Sequence, residues 1–202
     1  MNKYIKFALI ISIVLFICWY VYRKFIYMKT SRRGVQFITD AEGFKTKAYQ
    51  DSKGLWTIGV GHLIKCRENK LNGVSMPDTE RHLLTKTLTR QEVENLLAAD
   101  LIEFEKAVND SIIVKVSQWE FDAMVSLAFN IGAKGFSGST VKKRVNTFSK
   151  PSEIAKAFMM WNKPKELITT GRRAKEANLF ENADYNYHDI AESTIENYNQ
   201  YA

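Results

Sequence analysis

The sequence predicts an α+β fold that is mainly helical and has two lobes. Three observations support this prediction. A short segment of alternating β-forming residues with several glycines indicates a small β-hairpin lobe, and the longer stretch after it carries apolar residues at helical spacing. An uncharged apolar run near the N-terminus indicates one further helix before the two lobes. The 202 residues are enough for one ordinary domain with an apolar core.

The N-terminal run "FALIISIVLFICWYVY", residues 7–22, contains no charged residue and has basic residues on both sides. A helix that crosses a bilayer needs about 20 apolar residues, and this run approaches that length when its neighbours are included. We therefore predict a signal-anchor segment over residues 1–28 and a folded domain over residues 29–202. A cleavable signal peptide is the alternative, although no small-residue cleavage site follows the run. Whether such an anchor is stable or released is open.

Composition excludes several classes of partner. The formal net charge is +7, and much of it lies in the anchor segment. The sequence has no stripe of basic residues interleaved with aromatic residues, so it does not predict nucleic-acid binding. The two cysteines, Cys18 and Cys66, cannot form a disulfide scaffold, and no ligand spacing predicts a metal site. We expect a monomer that needs no metal or cofactor.

The first part of the domain is predicted to be a short helix followed by a β-hairpin. After the polar linker "YMKTSRRG", a short amphipathic helix ends at Glu42, with Gly43 as its stop signal. The segments "KAYQD" and "LWTIGVG" alternate and are joined across "DSKG", a pattern typical of a β-hairpin. Residues 65–87 are polar and irregular, which indicates a surface excursion.

The rest of the chain is predicted to be helical. Thr89 with Glu92, and Ser117 with Glu120, form two capping boxes, each followed by an apolar stripe at helical spacing. Further helices are predicted from Pro151 and over residues 172–182, and the tyrosine-rich tail has only a weak pattern.

Three residues of the predicted β lobe suggest chemistry. Glu42 ends a helix, Asp51 lies in the hairpin turn and Thr57 lies on the second strand, so the hairpin can bring all three to one side. Glycoside hydrolysis requires two carboxylates across a groove, one of them as the acid for the leaving oxygen. From the residues alone, a solvated helix-end acid and a turn-forming aspartate remain the simpler interpretations.

The spacing of these residues resembles a known signature. Glu, eight residues, Asp, five residues and Thr, followed by "TIGVGH", is similar to the catalytic signature of the phage-type lysozymes, glycoside hydrolase family 24. The segments "LTRQEVENLLAADL", "LAFNIGAKGFSGST" and "LITTGRRAKEANLF" resemble later segments of that family in the same order. The resemblance covers most of residues 31–183 and implies a lysozyme-like catalytic domain.

The resemblance implies roles for individual residues. Glu42 matches the general acid, Asp51 the second carboxylate and Thr57 the hydroxyl that positions water. For substrate binding, the matching positions are Leu63, Phe129 and Arg173, the last of which would approach the general acid. His62 matches a histidine that is structural and tied to an acid across the small lobe. The family resembles inverting glycosidases.

The function implied is a peptidoglycan hydrolase, a muramidase that cuts between N-acetylmuramic acid and N-acetylglucosamine as an endolysin does. A lytic transglycosylase and a non-catalytic wall-binding protein of the same fold are the alternatives. We expect peptidoglycan as the partner and a single-pass location in the inner membrane, with the domain facing the periplasm or cell wall. The basic residues that follow the anchor oppose this orientation.

Overall fold

The computed structural model describes residues 3–161, 171–188 and 191–201. A small sheet lies between an N-terminal pair of helices and a mainly helical remainder, as the sequence predicts, and a short second hairpin, which the sequence does not predict, follows the sheet. In chain order the elements of the described residues are α1 (Lys3–Ile26), α2 (Arg32–Glu42), β1 (Lys45–Gln50), β2 (Trp56–Gly59), β3 (His62–Leu63), β4 (Lys70–Leu71), β5 (Val74–Ser75), a 3₁₀ turn (Arg81–Leu84), α3 (Arg90–Ser111), α4 (Gln118–Ile131), α5 (Ala133–Gly138), α6 (Thr140–Asn146), α7 (Pro151–Met159), α8 (Arg172–Asn182) and α9 (Glu192–Asn199).

The β lobe is built on an antiparallel sheet in the order β1-β2-β3. Its register pairs Thr57 on the central strand with Tyr49 on one side and with Leu63 on the other. The turn before β2 contains Gly54 at a φ of 76°, in the left-handed region that favours glycine. The predicted hairpin is therefore confirmed, with a short third strand added.

The helical lobe forms around α4, which is buried along most of its length. Both predicted capping boxes are present, at Thr89 with Glu92 before α3 and at Ser117 with Glu120 before α4. Helix α8 packs against α4 and α7 and brings several charged side chains into the interior. This packing brings the start of α8 into contact with the end of α2.

Helix α1 covers the apolar N-terminal run. Its described side chains from position 7 to position 18 are exposed, including the large apolar groups Phe7, Leu15 and Phe16. Among the described residues, no helix combines the length and the hydropathy required to cross a membrane. The spanning anchor therefore stays a prediction.

The segment between α1 and α2, which the sequence predicts to be a polar linker, is docked on the domain by hydrogen bonds. Asn109 of α3 binds both backbone groups of Met28, accepting from its N–H and donating to its carbonyl oxygen, each at 2.9 Å. The N–H of Thr30 donates to Glu105 at 2.8 Å, and the N–H of Ser31 donates to Asp122 of α4 at 2.9 Å. These partners lie far away in sequence, which is why the local pattern did not reveal them.

Residues 65–87 are more integrated than the predicted surface excursion. The side chain of Asn69 is fully buried and bonded to the sheet. It accepts from the N–H of Trp56 at 2.7 Å and donates to the carbonyl oxygens of Trp56 and Ile64 at 2.9 and 2.8 Å. The excursion therefore stabilises the β lobe.

The sequence analysis also missed α9, because the tail has only a weak pattern.

Candidate active site

Glu42 is the last residue of α2, where the backbone leaves the helix at Gly43 with a φ of 85°. Its side chain is 23% exposed, and its Oε1 accepts a hydrogen bond from Nη1 of Arg172 at 2.6 Å. The described residues make no hydrogen bond to its Oε2. This carboxyl is therefore held on one oxygen by an ion pair and is accessible to solvent.

Asp51 follows β1 and fixes the hairpin turn. Its Oδ1 accepts from the N–H groups of Lys53 and Leu55, both at 2.8 Å. Thr57 is buried, and its hydroxyl donates to the carbonyl oxygen of Leu55 at 3.1 Å. Asp51 thus has the turn-forming role that the simpler interpretation predicts, and the same bonds hold its carboxylate in one orientation.

The pKa of the Tyr49 phenol responds to both predicted carboxylates. Burial raises the pKa of Tyr49, and the negative charges of Glu42 and Asp51 raise it further. The charges of both carboxylates therefore act on this one hydroxyl. Along the chain, Glu42 ends α2 just before β1, and Asp51 directly follows β1.

The arginine that contacts Glu42 is Arg172, and the expectation that Arg173 would approach it is wrong. Arg173 is fully buried, donates from Nη1 to Glu176 and from Nη2 to Asn130, and donates from Nε to the carbonyl oxygen of Trp161 at 3.2 Å. Successive residues on a helix point about 100° apart, so neighbouring arginines of one motif face different partners.

Three comparisons with known proteins identify what this chain is similar to. Residues 39–176 match the family model described as phage lysozyme. The endolysin of Salmonella phage P22 is 36% identical over 76% of this chain and 98% of that protein, and the SAR-endolysin of Haemophilus phage HP1 is 30% identical over 75% and 80%. The solved endolysin of Escherichia coli O157:H7 phage FAHEc1 is 33% identical, with a TM-score of 0.64 over 78% of this chain and 96% of that chain.

The chain belongs to the phage lysozyme family. This membership confirms the resemblance seen in the sequence, and it makes the protein a peptidoglycan hydrolase of the lysozyme type. The structural likeness also confirms the predicted class of fold, mainly helical with a small sheet. Within the matched segment "LITTGRRAKEANLF", residues 167–170 lie outside the described residues.

The other predicted positions of this phage lysozyme have different environments. Leu63 lies on β3, half-buried, and pairs with Thr57 in the sheet. Phe129 is half-buried near the end of α4 and packs edge-on against Phe104 of α3, with ring centroids 5.1 Å apart. Arg173, with no exposed surface, is not available to a bound substrate. Leu63 and Phe129 therefore remain candidates for substrate contact.

His62 has the structural role that the resemblance implies. Its Nδ1 lies 2.9 Å from Asp100 of α3, and its Nε2 lies 3.0 Å from Glu80 in the excursion. Hydrogen bonding to Asp100 raises the pKa of His62, burial opposes this, and Glu80 adds to the increase. The histidine therefore ties the β lobe to both neighbours.

Metal ligation has no support in the part of the chain that the structure describes. Across residues 3–161, 171–188 and 191–201, no group of three or more histidine, cysteine, aspartate or glutamate side chains could hold an ion.

The sequence analysis missed two residues at the site, Tyr49 and Arg172. Tyr49 precedes Asp51 by two positions, and this strand spacing could have placed both on one face.

Proposed function

We propose that this lysozyme hydrolyses the β-1,4 bond between N-acetylmuramic acid and N-acetylglucosamine, with Glu42 as the general acid. The observation that carries the proposal is the geometry of Glu42, which is partly exposed at the end of α2 and bound through Oε1 to Arg172 at 2.6 Å. The second oxygen is left to give a proton to the glycosidic oxygen. The reaction cleaves the bond to the leaving oxygen and adds water across it.

Asp51 and Thr57 act on the water in this proposal. Two backbone N–H groups hold Asp51 in its turn, so its carboxylate is oriented before the substrate binds. It acts as the base or stabilises positive charge on the sugar, while the hydroxyl of Thr57 positions the water. An inverting mechanism then requires the carboxyl groups of Glu42 and Asp51 to stand about 6.5–9.5 Å apart across the groove.

The test is the variant Glu42→Gln, which keeps the shape of the side chain and cannot donate the proton. We expect a folded protein whose rate of peptidoglycan clearing falls by about 10²–10⁴-fold, the usual contribution of general acid catalysis. The matched control is Glu94→Gln, which changes an exposed carboxyl on α3 that pairs with Arg90. Clearing by Glu42→Gln at the parent rate would remove Glu42 from the mechanism.

The products separate hydrolysis from the transglycosylase alternative. Purified peptidoglycan is incubated with the full-length protein, and the fragments are identified by mass. Hydrolysis leaves reducing ends, whereas a transglycosylase leaves anhydro ends that are lighter by one water. Reducing ends of N-acetylmuramic acid support the proposed bond, and NMR of the fresh product reports whether the anomeric configuration inverts.

Helix α1 attaches this lysozyme to the inner membrane in the same proposal, with the domain on the side of the periplasm or cell wall. Large apolar side chains such as Phe7 and Leu15 are exposed on α1, and an apolar surface of this kind needs a covering environment. The substrate lies outside the cytoplasmic membrane, so the domain must face outward. Protease added to spheroplasts should digest the domain, before or after depolarisation. Protection under both conditions would contradict this topology.

A further inference from the structure

Three charged side chains at the start of α8 are enclosed in the protein behind Glu42. Glu176 has no exposed surface, Arg173 has none and Arg172 has 5%. Both oxygens of Glu176 are bonded: Oε1 accepts from Ser126 at 2.7 Å and from Nε of Arg172 at 3.1 Å, and Oε2 accepts from Arg173. A buried carboxylate is costly unless it is paired, so this arrangement requires its cationic partners.

Arg172 connects this buried carboxylate to Glu42. Its Nε donates to Glu176, its Nη1 donates to Glu42 at 2.6 Å, and its Nη2 lies 3.5 Å from the carbonyl oxygen of Ser126. A guanidinium is planar and rigid, so an anchor at Nε determines where Nη1 points. Burial acts to lower the pKa of Arg172, but the charges of Glu176 and then Glu42 outweigh it and raise the pKa.

We propose that Glu176 is a positioning residue for the general acid, which it controls through Arg172. This inference rests on the proposed role of Glu42. Glu176 holds the guanidinium so that Arg172 takes Oε1 of Glu42 and leaves Oε2 for the substrate. It also supplies the negative charge that Arg172 and Arg173 need when Glu42 carries its proton.

The second role follows from counting charges in the cluster. While Glu42 is ionised, the two arginines face two carboxylates. When Glu42 is protonated, as a general acid must be, Glu176 is the one carboxylate among the described contacts of these arginines. Removing the charge of Glu176 therefore favours ionised Glu42, and removing the charge of Arg173 favours the protonated acid.

The experiment measures the pH dependence of initial clearing rates at low peptidoglycan concentration, where the profile reports groups of the free enzyme. In Glu176→Gln we expect the alkaline limb to move to lower pH by about one unit, the usual size of the effect of one nearby charge. In Arg173→Gln we expect the limb to move to higher pH. Opposite shifts from two neighbouring residues are a result that a purely structural role does not give.

The matched control is Asp122→Asn, which also neutralises a fully buried carboxylate. Asp122 bonds Ser31 at the start of α2, and Glu42 lies at the other end of this helix of 11 residues. This control should lower stability and leave the alkaline limb in place. Folding of each variant is checked by near-ultraviolet circular dichroism.

Two outcomes overturn the inference. One is an unchanged limb in both Glu176→Gln and Arg173→Gln, and the other is a shift of the same sign and size in Asp122→Asn. If one of the two test variants does not fold, the sign of the shift in the other decides. These failures differ from failure of the proposed function, which is judged separately by whether Glu42→Gln still clears peptidoglycan.

Discussion

Replacing Gly34 by alanine should destabilise the protein, although helix propensity alone predicts the reverse. Gly34 is a buried residue of the first turn of α2, where alanine is ordinarily favoured over glycine by roughly 0.5–1 kcal/mol. A Cβ atom on Gly34 would lie 2.6 Å from Cγ and 2.8 Å from Oδ2 of Asp122. Atoms cannot approach so closely, so the carboxylate or the helix must move.

The cost of that movement can be worked from the bonds of Asp122. Its carboxylate accepts from the N–H of Ser31 and from Gln118, both at 2.9 Å, and from the hydroxyl of Tyr185 at 2.6 Å. Overpacking costs about 1–3 kcal/mol, and a weakened hydrogen bond to a charged group costs about 1.5–3 kcal/mol. Less the propensity gain of roughly 0.5–1 kcal/mol, we expect a net loss of roughly 1.5–5.5 kcal/mol in the free energy of unfolding.

The assay is urea unfolding followed by tryptophan fluorescence. Gly138→Ala is the control, because no heavy atom beyond its chain neighbours and the nearby backbone of its own helix lies within 4 Å of the Cβ that it would add. It should leave stability unchanged or slightly raised. The effect of Gly34→Ala should also shrink in an Asp122→Ala background, where the obstructing carboxylate is absent. A Gly34→Ala protein as stable as its parent would refute the reasoning.

Three further predictions follow from other contacts. The pKa of His62 is raised in the fold. Its contribution to stability is therefore full below about pH 6.5 and is lost as the pH rises through the folded pKa. In urea titrations, the difference in the free energy of unfolding between the parent and His62→Gln should shrink between about pH 6 and pH 9. Asn69→Asp replaces the amide group that donates two buried hydrogen bonds with a charged carboxylate, and it should lower the free energy of unfolding by about 3 kcal/mol. The control Lys70→Gln should have the same free energy of unfolding as the parent. Arg172→Lys keeps the charge but cannot bond Glu42 and Glu176 as a fork, so we expect at least about tenfold slower clearing of peptidoglycan.

Local patterns in the sequence predicted the features that depend on near neighbours. The capping boxes at Thr89 and Ser117, the end of α2 at Glu42 and the hairpin around Asp51 all follow from residues only a few positions apart. The spacing of the polar residues also resembled a signature of the phage lysozyme family, and the comparisons confirmed membership of that family. Short-range physical chemistry, such as capping, turn formation and strand alternation, is enough to specify features of this kind.

Features that depend on distant contacts were not predicted. Two adjacent arginines fit the same motif equally well, and only the rotation of α8 decides that Arg172 contacts Glu42 while Arg173 points into the interior. The polar excursion gave no sign that Asn69 would be buried against strands before it. In both cases the deciding partner lies elsewhere in the chain, and no local periodicity encodes it.

The docked segment that follows α1 has a mechanical consequence. Bonds from residues 28–31 to α3 and α4 leave no slack between the end of the N-terminal helix and the body of the enzyme. With a flexible tether, the contour length of the tether sets how far the enzyme can search through the wall. In the proposed membrane-attached protein, that reach would be set by the dimensions of the domain, and a pull on α1 would act first on the two bonds between Asn109 and Met28.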